Sequence, residues 1–291
     1  MTPSREDAAP VSLAVVENGT VVAQSGTRAP VPWWSFTKTV IAAAALVLVR
    51  DGRLALDEPL TDRAYTLRQL LQHRAGVAEY GELPDYHAAV ARGDDPWPVA
   101  ELMQRTDAAR LRFAPGTRWS YSNIGYLLVR QSIEAACDES LGTALQRLVL
   151  APLGIESARI VAAPRDLAGV EMGEAASYHP GWVYHGLMVG PLREAVLLLA
   201  RLMAGALLPP GLMMQMRASV DLGPWAGLGY GLGLLTGTTT HGTHVVGHTG
   251  KGPGSVTAVY HAVEQSRTAA AFTAGDDPTI VEHAAFAALR G

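Results

Sequence analysis

Apolar positions divide the chain into strand-like ends and a helix-like middle. Val11–Val16 and Thr20–Ala23 are β-rich runs separated by Asn18-Gly19, a pair that favours a two-residue hairpin turn. After Pro30-Val-Pro-Trp-Trp, Ser35 opens a stretch from Phe36 to Arg50 rich in helix formers, with a stop at Gly52. Helical spacing recurs over Leu67–Gln72, Trp97–Thr106, Ile124–Ala136, Leu141–Leu150 and Arg193–Ala204. Turn signals separate them at Arg92-Gly-Asp-Asp-Pro, Ala114-Pro-Gly and Pro152-Leu-Gly. From Gly227 the texture returns to strands: Gly227–Gly237, Thr243–Thr249, Ser255–Ala262 and Thr268–Ala274, followed by a helix over Thr279–Leu289. The pattern predicts an α+β fold, an antiparallel sheet built from both termini and flanked by helices. Residues 1–56 and 206–291 would form the sheet domain, and 57–205 an inserted all-helical lobe.

Composition narrows the function classes. Apolar residues make up 48% of the 291, charged residues 17%, and the net charge is −4. That is globular, and it offers no basic surface for nucleic acid. The longest apolar run, Val40–Val49, is too short to span a bilayer and is flanked by Lys38 and Arg50. Neither a membrane nor a nucleic-acid partner is expected. The single cysteine, Cys137, excludes an intrachain disulfide and reads as a helix residue. The N-terminal residues lack a basic start followed by an apolar run, so a cytoplasmic setting is expected.

Three short motifs carry chemistry: Ser35-Phe-Thr-Lys38, Tyr121-Ser-Asn123 and His248-Thr-Gly250. Only two lysines and two asparagines occur in the chain, against thirteen serines, so their coincidence in these motifs is informative. Ser35 lies where an extended segment turns into a helix, a place of free backbone N–H groups. Lys38, one turn on, shares its face. A desolvated lysine loses its proton readily and can act as a base. Tyr121 could pass a proton between Ser35 and a leaving group, provided a cationic Lys38 stabilises its phenolate. Asn123 offers an amide to substrate or to Lys38. Each residue also has a structural alternative. Ser35 would cap a helix, Lys38 would be a solvated charge, Tyr121 a core aromatic and His248 a solvent-facing strand residue. His241, His244 and His248 share a Gly/Thr-rich hairpin without nearby carboxylates, and no metal site is expected there.

These motifs and their surroundings resemble the penicillin-binding-protein and class C β-lactamase superfamily, including its family VIII esterases and D-aminopeptidase-like members. The similar segments include Trp34-Ser-Phe-Thr-Lys-Thr and Phe113-Ala-Pro-Gly-Thr-Arg-Trp-Ser-Tyr-Ser-Asn-Ile-Gly-Tyr126. They also include Thr66-Leu-Arg-Gln-Leu-Leu-Gln-His-Arg-Ala-Gly76, in which Ala75 replaces the usual serine, and Gly247-His-Thr-Gly250. The resemblance implies a cleft between sheet and helical lobe, Ser35 as nucleophile, and Lys38 with Tyr121 as the proton-transfer pair. Asn123, His248, Thr249 and Gly250 would contact substrate, His73 would be structural, and the backbone N–H groups of Ser35 and Lys251 would form the oxyanion hole. No cofactor is implied.

Histidine stands where β-lactamases carry lysine in the third motif, and a neutral imidazole attracts a substrate carboxylate less. The leading expectation is therefore a serine hydrolase for a small ester or amide. D-alanyl-D-alanine carboxypeptidase, D-aminopeptidase or weak β-lactamase activity is the alternative, and a non-catalytic covalent sensor a further one. Trp33, Trp34, Tyr178, Trp182, Tyr184, Trp225 and Tyr230 are candidates for an aromatic pocket wall.

Overall fold

A computed structural model describes residues 10–173, 178–223 and 227–290. Trp225 lies outside them. Strands β1 (Ser12–Glu17) and β2 (Thr20–Ser25) form the expected hairpin, and both turn residues take positive φ, 48° at Asn18 and 80° at Gly19. Such a turn matches the twist of the strands it joins. A short β3 (Pro30–Pro32) leads into a 3₁₀ turn, Trp34–Phe36, and then α1 (Thr37–Arg50). Helices α2 (Leu67–Leu71), α3 (Pro84–Arg92), α4 (Val99–Arg105), α5 (Asn123–Cys137) and α6 (Leu141–Leu145) follow, the last continued by a single π turn. Next come β4 (Arg159–Val161), β5 (Leu187–Pro191), α7 (Leu192–Met203), α8 (Pro210–Arg217), β6 (Val220–Asp221), β7 (Leu228–Tyr230) and β8 (Leu235–Thr238). The chain closes with β9 (His244–Gly252), β10 (Ser255–Ala262), β11 (Arg267–Ala274) and α9 (Pro278–Ala288).

The main sheet has eight strands in the order β2-β1-β11-β10-β9-β8-β7-β6, every pair antiparallel, so the two termini meet at the β1–β11 pairing. Both faces of its centre are covered. Ala14, Val16, Val259 and Phe272 join the core shared with α1 and α7, while Val15, Ala258, Tyr260 and Ala271 pack with Val281 and Ala285 of α9. Every residue of β10 is buried, the polar Ser255, Thr257 and His261 included. Helix α1 is buried from Thr37 through Leu48, so Lys38 sits in the middle of the protein. Helix α7, within the range expected to be helical lobe, packs on β1, β10 and β11.

A second sheet, β3-β5-β4, was not expected. Its outer strands are three residues each, too short to display period-two alternation. Helices α3 and α8 were also unexpected. They bury only Ala89 and only Met213 and Met216 respectively, so they carry little apolar stripe. Among the described residues no helix is long and apolar enough to cross a membrane.

Candidate active site

Ser35 lies in the 3₁₀ turn ahead of α1 and does not cap it. The cap position is Phe36, with no side-chain hydrogen bond. Trp34, immediately before the serine, holds a left-handed φ of 41°. A bulky residue there is strained and must be held by its surroundings. Its indole N–H donates to the Ser255 hydroxyl at 3.1 Å, and β9 lies flat against the turn. A Cβ added at Gly250 would stand 2.9 Å from the Ser35 backbone nitrogen, and one at Gly252 would strike the Trp34 ring at 2.3 Å. The glycines that flank Lys251 therefore let the strand backbone approach Ser35.

Lys38 is completely buried. Its Nζ lies 3.3 Å from Ser35 Oγ, 2.7 Å from Asn123 Oδ1 and 3.2 Å from His185 Nε2. Burial draws its pKa down from 10.5 to about 7, with Glu79 opposing the fall. Near neutrality much of this lysine is an uncharged amine with a lone pair. Tyr121 donates its O–H to Ser35 Oγ at 2.9 Å. Desolvation holds the Tyr121 phenol above its ordinary range, the bond to Ser35 opposing. Tyr121 is thus a neutral phenol near neutral pH, and the partly uncharged amine of Lys38 is the other group in contact with Ser35 Oγ.

Asn123 is the first residue of α5, whose start is capped by the Ser122 hydroxyl. Its backbone N–H donates to Glu79 Oε2, and its Nδ2 donates to Glu79 Oε1 at 2.8 Å. Because the amide nitrogen faces the carboxylate, the amide oxygen must face Lys38. Gly81 N–H donates to the same Oε1 at 2.7 Å and fixes the carboxylate in turn. His73 supports the Tyr121 segment. Its Nδ1 accepts from Ser122 N–H at 3.0 Å, its carbonyl accepts from Ser120 N–H, and its ring packs 4.3 Å from that of Tyr121.

His248 is buried, and both ring nitrogens are engaged: Nδ1–H donates to the Thr249 carbonyl at 2.7 Å, and Nε2 accepts from Tyr230 O–H at 2.9 Å. Burial, then the nearby Lys38 charge, depress its pKa to about 3. It lines the site as a neutral ring. Thr249 donates its hydroxyl to Glu282 Oε1 at 2.5 Å and accepts from Tyr260 O–H at 2.8 Å. Among the described residues no three metal-ligating side chains cluster.

Ser35, Tyr121, Asn123, His248, Thr249 and Lys251 open on one cavity of about 870 Å³. Of the aromatic candidates, Trp34, Tyr178 and Tyr230 line it, joined by Tyr80, Tyr86 and Trp119. Trp33, Trp182 and Tyr184 are core residues. Sequence reading missed Glu79, His185 and Glu282. Glu79 and Glu282 are ordinary carboxylates in sequence, and no local motif marks His185.

A family model described as Beta-lactamase matches residues 4–290. Esterase EstB of Burkholderia gladioli is 30% identical over 168 residues, 50% of this chain and 41% of that protein. A D-aminopeptidase of Cereibacter sphaeroides is 26% identical over 174 residues, 54% of this chain and 32% of its own length. The chain thus spans less than half the length of these curated relatives. Among solved structures, a D-stereospecific amidohydrolase from Streptomyces sp. superposes with a TM-score of 0.81 at 25% identity, covering 97% of this chain and 95% of that one.

Proposed function

The chain belongs to the Beta-lactamase family, and on that premise we propose that it hydrolyses a small ester or amide through an acyl-enzyme on Ser35. The observation that carries this reading is the suspension of Ser35 Oγ between Lys38 Nζ at 3.3 Å and Tyr121 O–H at 2.9 Å, at the wall of an aromatic cavity. Neutral Lys38 accepts the Ser35 proton as Oγ attacks the substrate carbonyl. The developing oxyanion faces the backbone N–H groups of Ser35 and Lys251, and one such donor is worth about 3 kcal/mol of transition-state stabilisation. Tyr121 gives its proton to the leaving group and recovers one from Lys38. Water, losing a proton by the same route in reverse, then cleaves the acyl-enzyme.

Asn123 and His185 accept hydrogen bonds from Lys38 and so aim its lone pair at Ser35. Glu79, which holds Asn123, is the positioning residue behind them. The esterase, D-aminopeptidase and amidohydrolase names of the relatives support ester or amide chemistry. The neutral, doubly bonded His248 argues against substrates that need a cation in the third motif, which places carboxypeptidase and β-lactamase activity second. We read the cleft as the seam between the terminal sheet, which supplies Ser35, Lys38 and β9, and the intervening segment, which supplies Glu79, Tyr121, Asn123 and His185.

The test is hydrolysis of p-nitrophenyl butyrate by the wild type and by Ser35→Ala, with folding checked by circular dichroism. Activity lost in a folded Ser35→Ala is expected; equal activity in both proteins would overturn the reading.

A further inference from the structure

The end of the cavity bounded by β9 and α9 carries a charge that the reaction at Ser35 does not use. Glu282, half-buried on α9, lines this end together with Thr249, Tyr260 and Lys251. Its Oε1 accepts the Thr249 hydroxyl proton at 2.5 Å, and Thr249 Oγ1 in turn accepts from Tyr260. Threonine has one hydroxyl hydrogen, so the hydroxyl of the third motif has no proton left for an incoming carboxylate. His248 has none either, since both its ring nitrogens are bonded internally. Lys251 is exposed and lies 3.9 Å from the carboxylate of Asp276. Among the described residues, Glu282 has no cation within ion-pair distance. Lys251, the one Lys or Arg among the residues lining this cavity, is thus offset by Asp276. An anionic group arriving here therefore meets mainly acceptors and the carboxylates of Glu282 and Asp276, whereas a cationic group meets the half-buried carboxylate of Glu282, to which it can make a charge-assisted hydrogen bond.

We propose that Glu282 makes this end of the cavity selective for substrates bearing a cationic group and against those bearing a carboxylate. This rests on the acyl-enzyme reading above and adds the substrate class. The hydroxyl chain Tyr260–Thr249–Glu282 holds the carboxylate in place, and Glu282 acts on substrate charge alone, with no part in bond making.

The experiment compares kcat/KM for two matched ester series. In one, p-nitrophenyl esters have acyl chains ending in methyl, trimethylammonium or carboxylate. In the other, butyrate esters carry the same three ends on the alcohol. In the wild type, the cationic member of at least one series should exceed the neutral one by about tenfold, and the anionic member should fall below it by a similar factor. Glu282→Gln keeps an acceptor for Thr249 and removes only the charge, so both ratios should move toward unity. A mere packing defect would lower all three members together and leave the ratios standing. Ratios near unity in the wild type for both series, or ratios unchanged in Glu282→Gln, would overturn the proposal. A measurement independent of turnover is calorimetric binding of hexyltrimethylammonium and hexanoate. Tighter binding of the cation, lost in Glu282→Gln, supports the assignment even if no ester is cleaved. Equal binding of the two ions overturns it even if Ser35 proves to be the nucleophile.

Discussion

Replacing Glu79 with glutamine should move the acid limb of the pH–rate profile to lower pH. In the wild type the Lys38 pKa of about 7 is a balance of burial, which lowers it, and the Glu79 carboxylate, which raises it. Two hydrogen bonds, 2.7 and 2.8 Å long, bracket the Asn123 amide between the two charges. That places them roughly 7 Å apart, and at an effective dielectric near 20 their attraction is about 2 kcal/mol. Glu79 is only half-buried, so screening reduces this toward the equivalent of about one pH unit. Acylation requires the neutral amine, so the rate rises as pH climbs through the Lys38 pKa. Loss of the carboxylate lowers that pKa, and the midpoint should fall from about 7 to roughly 6. The plateau should also drop, by about tenfold, because an amide NH₂ facing Asn123 or Gly81 replaces an acceptor with a donor. The assay is the pre-steady-state release of p-nitrophenol across about pH 5 to 9, read at an isosbestic wavelength. A lower plateau with an unmoved midpoint would leave Glu79 as a purely steric support and refute the electrostatic argument. A midpoint that rises would refute the assignment of Lys38 as the base.

Lys38→Met should abolish acylation yet stabilise the fold. The folded pKa, about 7, lies below the ordinary 10.5, so between these values the unfolded chain binds more protons and wild-type stability rises with pH. Below that window Lys38→Met should be the more stable by about 2 kcal/mol, after allowing for the unpaired Asn123 oxygen, with the gap closing as pH approaches 10. Urea melts at several pH values would show it, and a gap independent of pH would contradict it. His185→Leu removes one acceptor from Lys38 Nζ. It should lower the acylation rate by about tenfold to a hundredfold and shift the acid limb down, with His185→Gln restoring much of both through its amide oxygen. Equal loss in the two variants without a limb shift would make His185 a packing residue.

What could be read from sequence follows the range of the interactions. The hairpin at Asn18-Gly19, the long central strands and α1 are specified by neighbouring residues, and the motifs at Ser35, Tyr121 and His248 announce themselves by spacing. The small sheet β3-β5-β4 depends on pairing Pro30–Pro32 with Leu187–Pro191 across most of the chain, and no local pattern encodes that. Ser35 itself was expected at a helix start but lies in the preceding 3₁₀ turn, because Trp34 takes a positive φ that tertiary contacts enforce. Glu79, His185 and Glu282 act through side chains that meet only after folding. Glu79 sits 44 residues from Asn123, and His185 sits 147 from Lys38. That Tyr121 stays a neutral phenol was likewise invisible, since burial sets it and burial is a property of the fold.

The proposed hydrolysis passes through a covalent intermediate on Ser35. Its most direct test is mass spectrometry of the intact protein, acid-quenched during turnover of p-nitrophenyl butyrate, followed by peptide mapping. One butyryl group is expected, located on the peptide that contains Ser35, and none in Ser35→Ala. A butyryl group on any other residue, or undiminished turnover by Ser35→Ala, would contradict it.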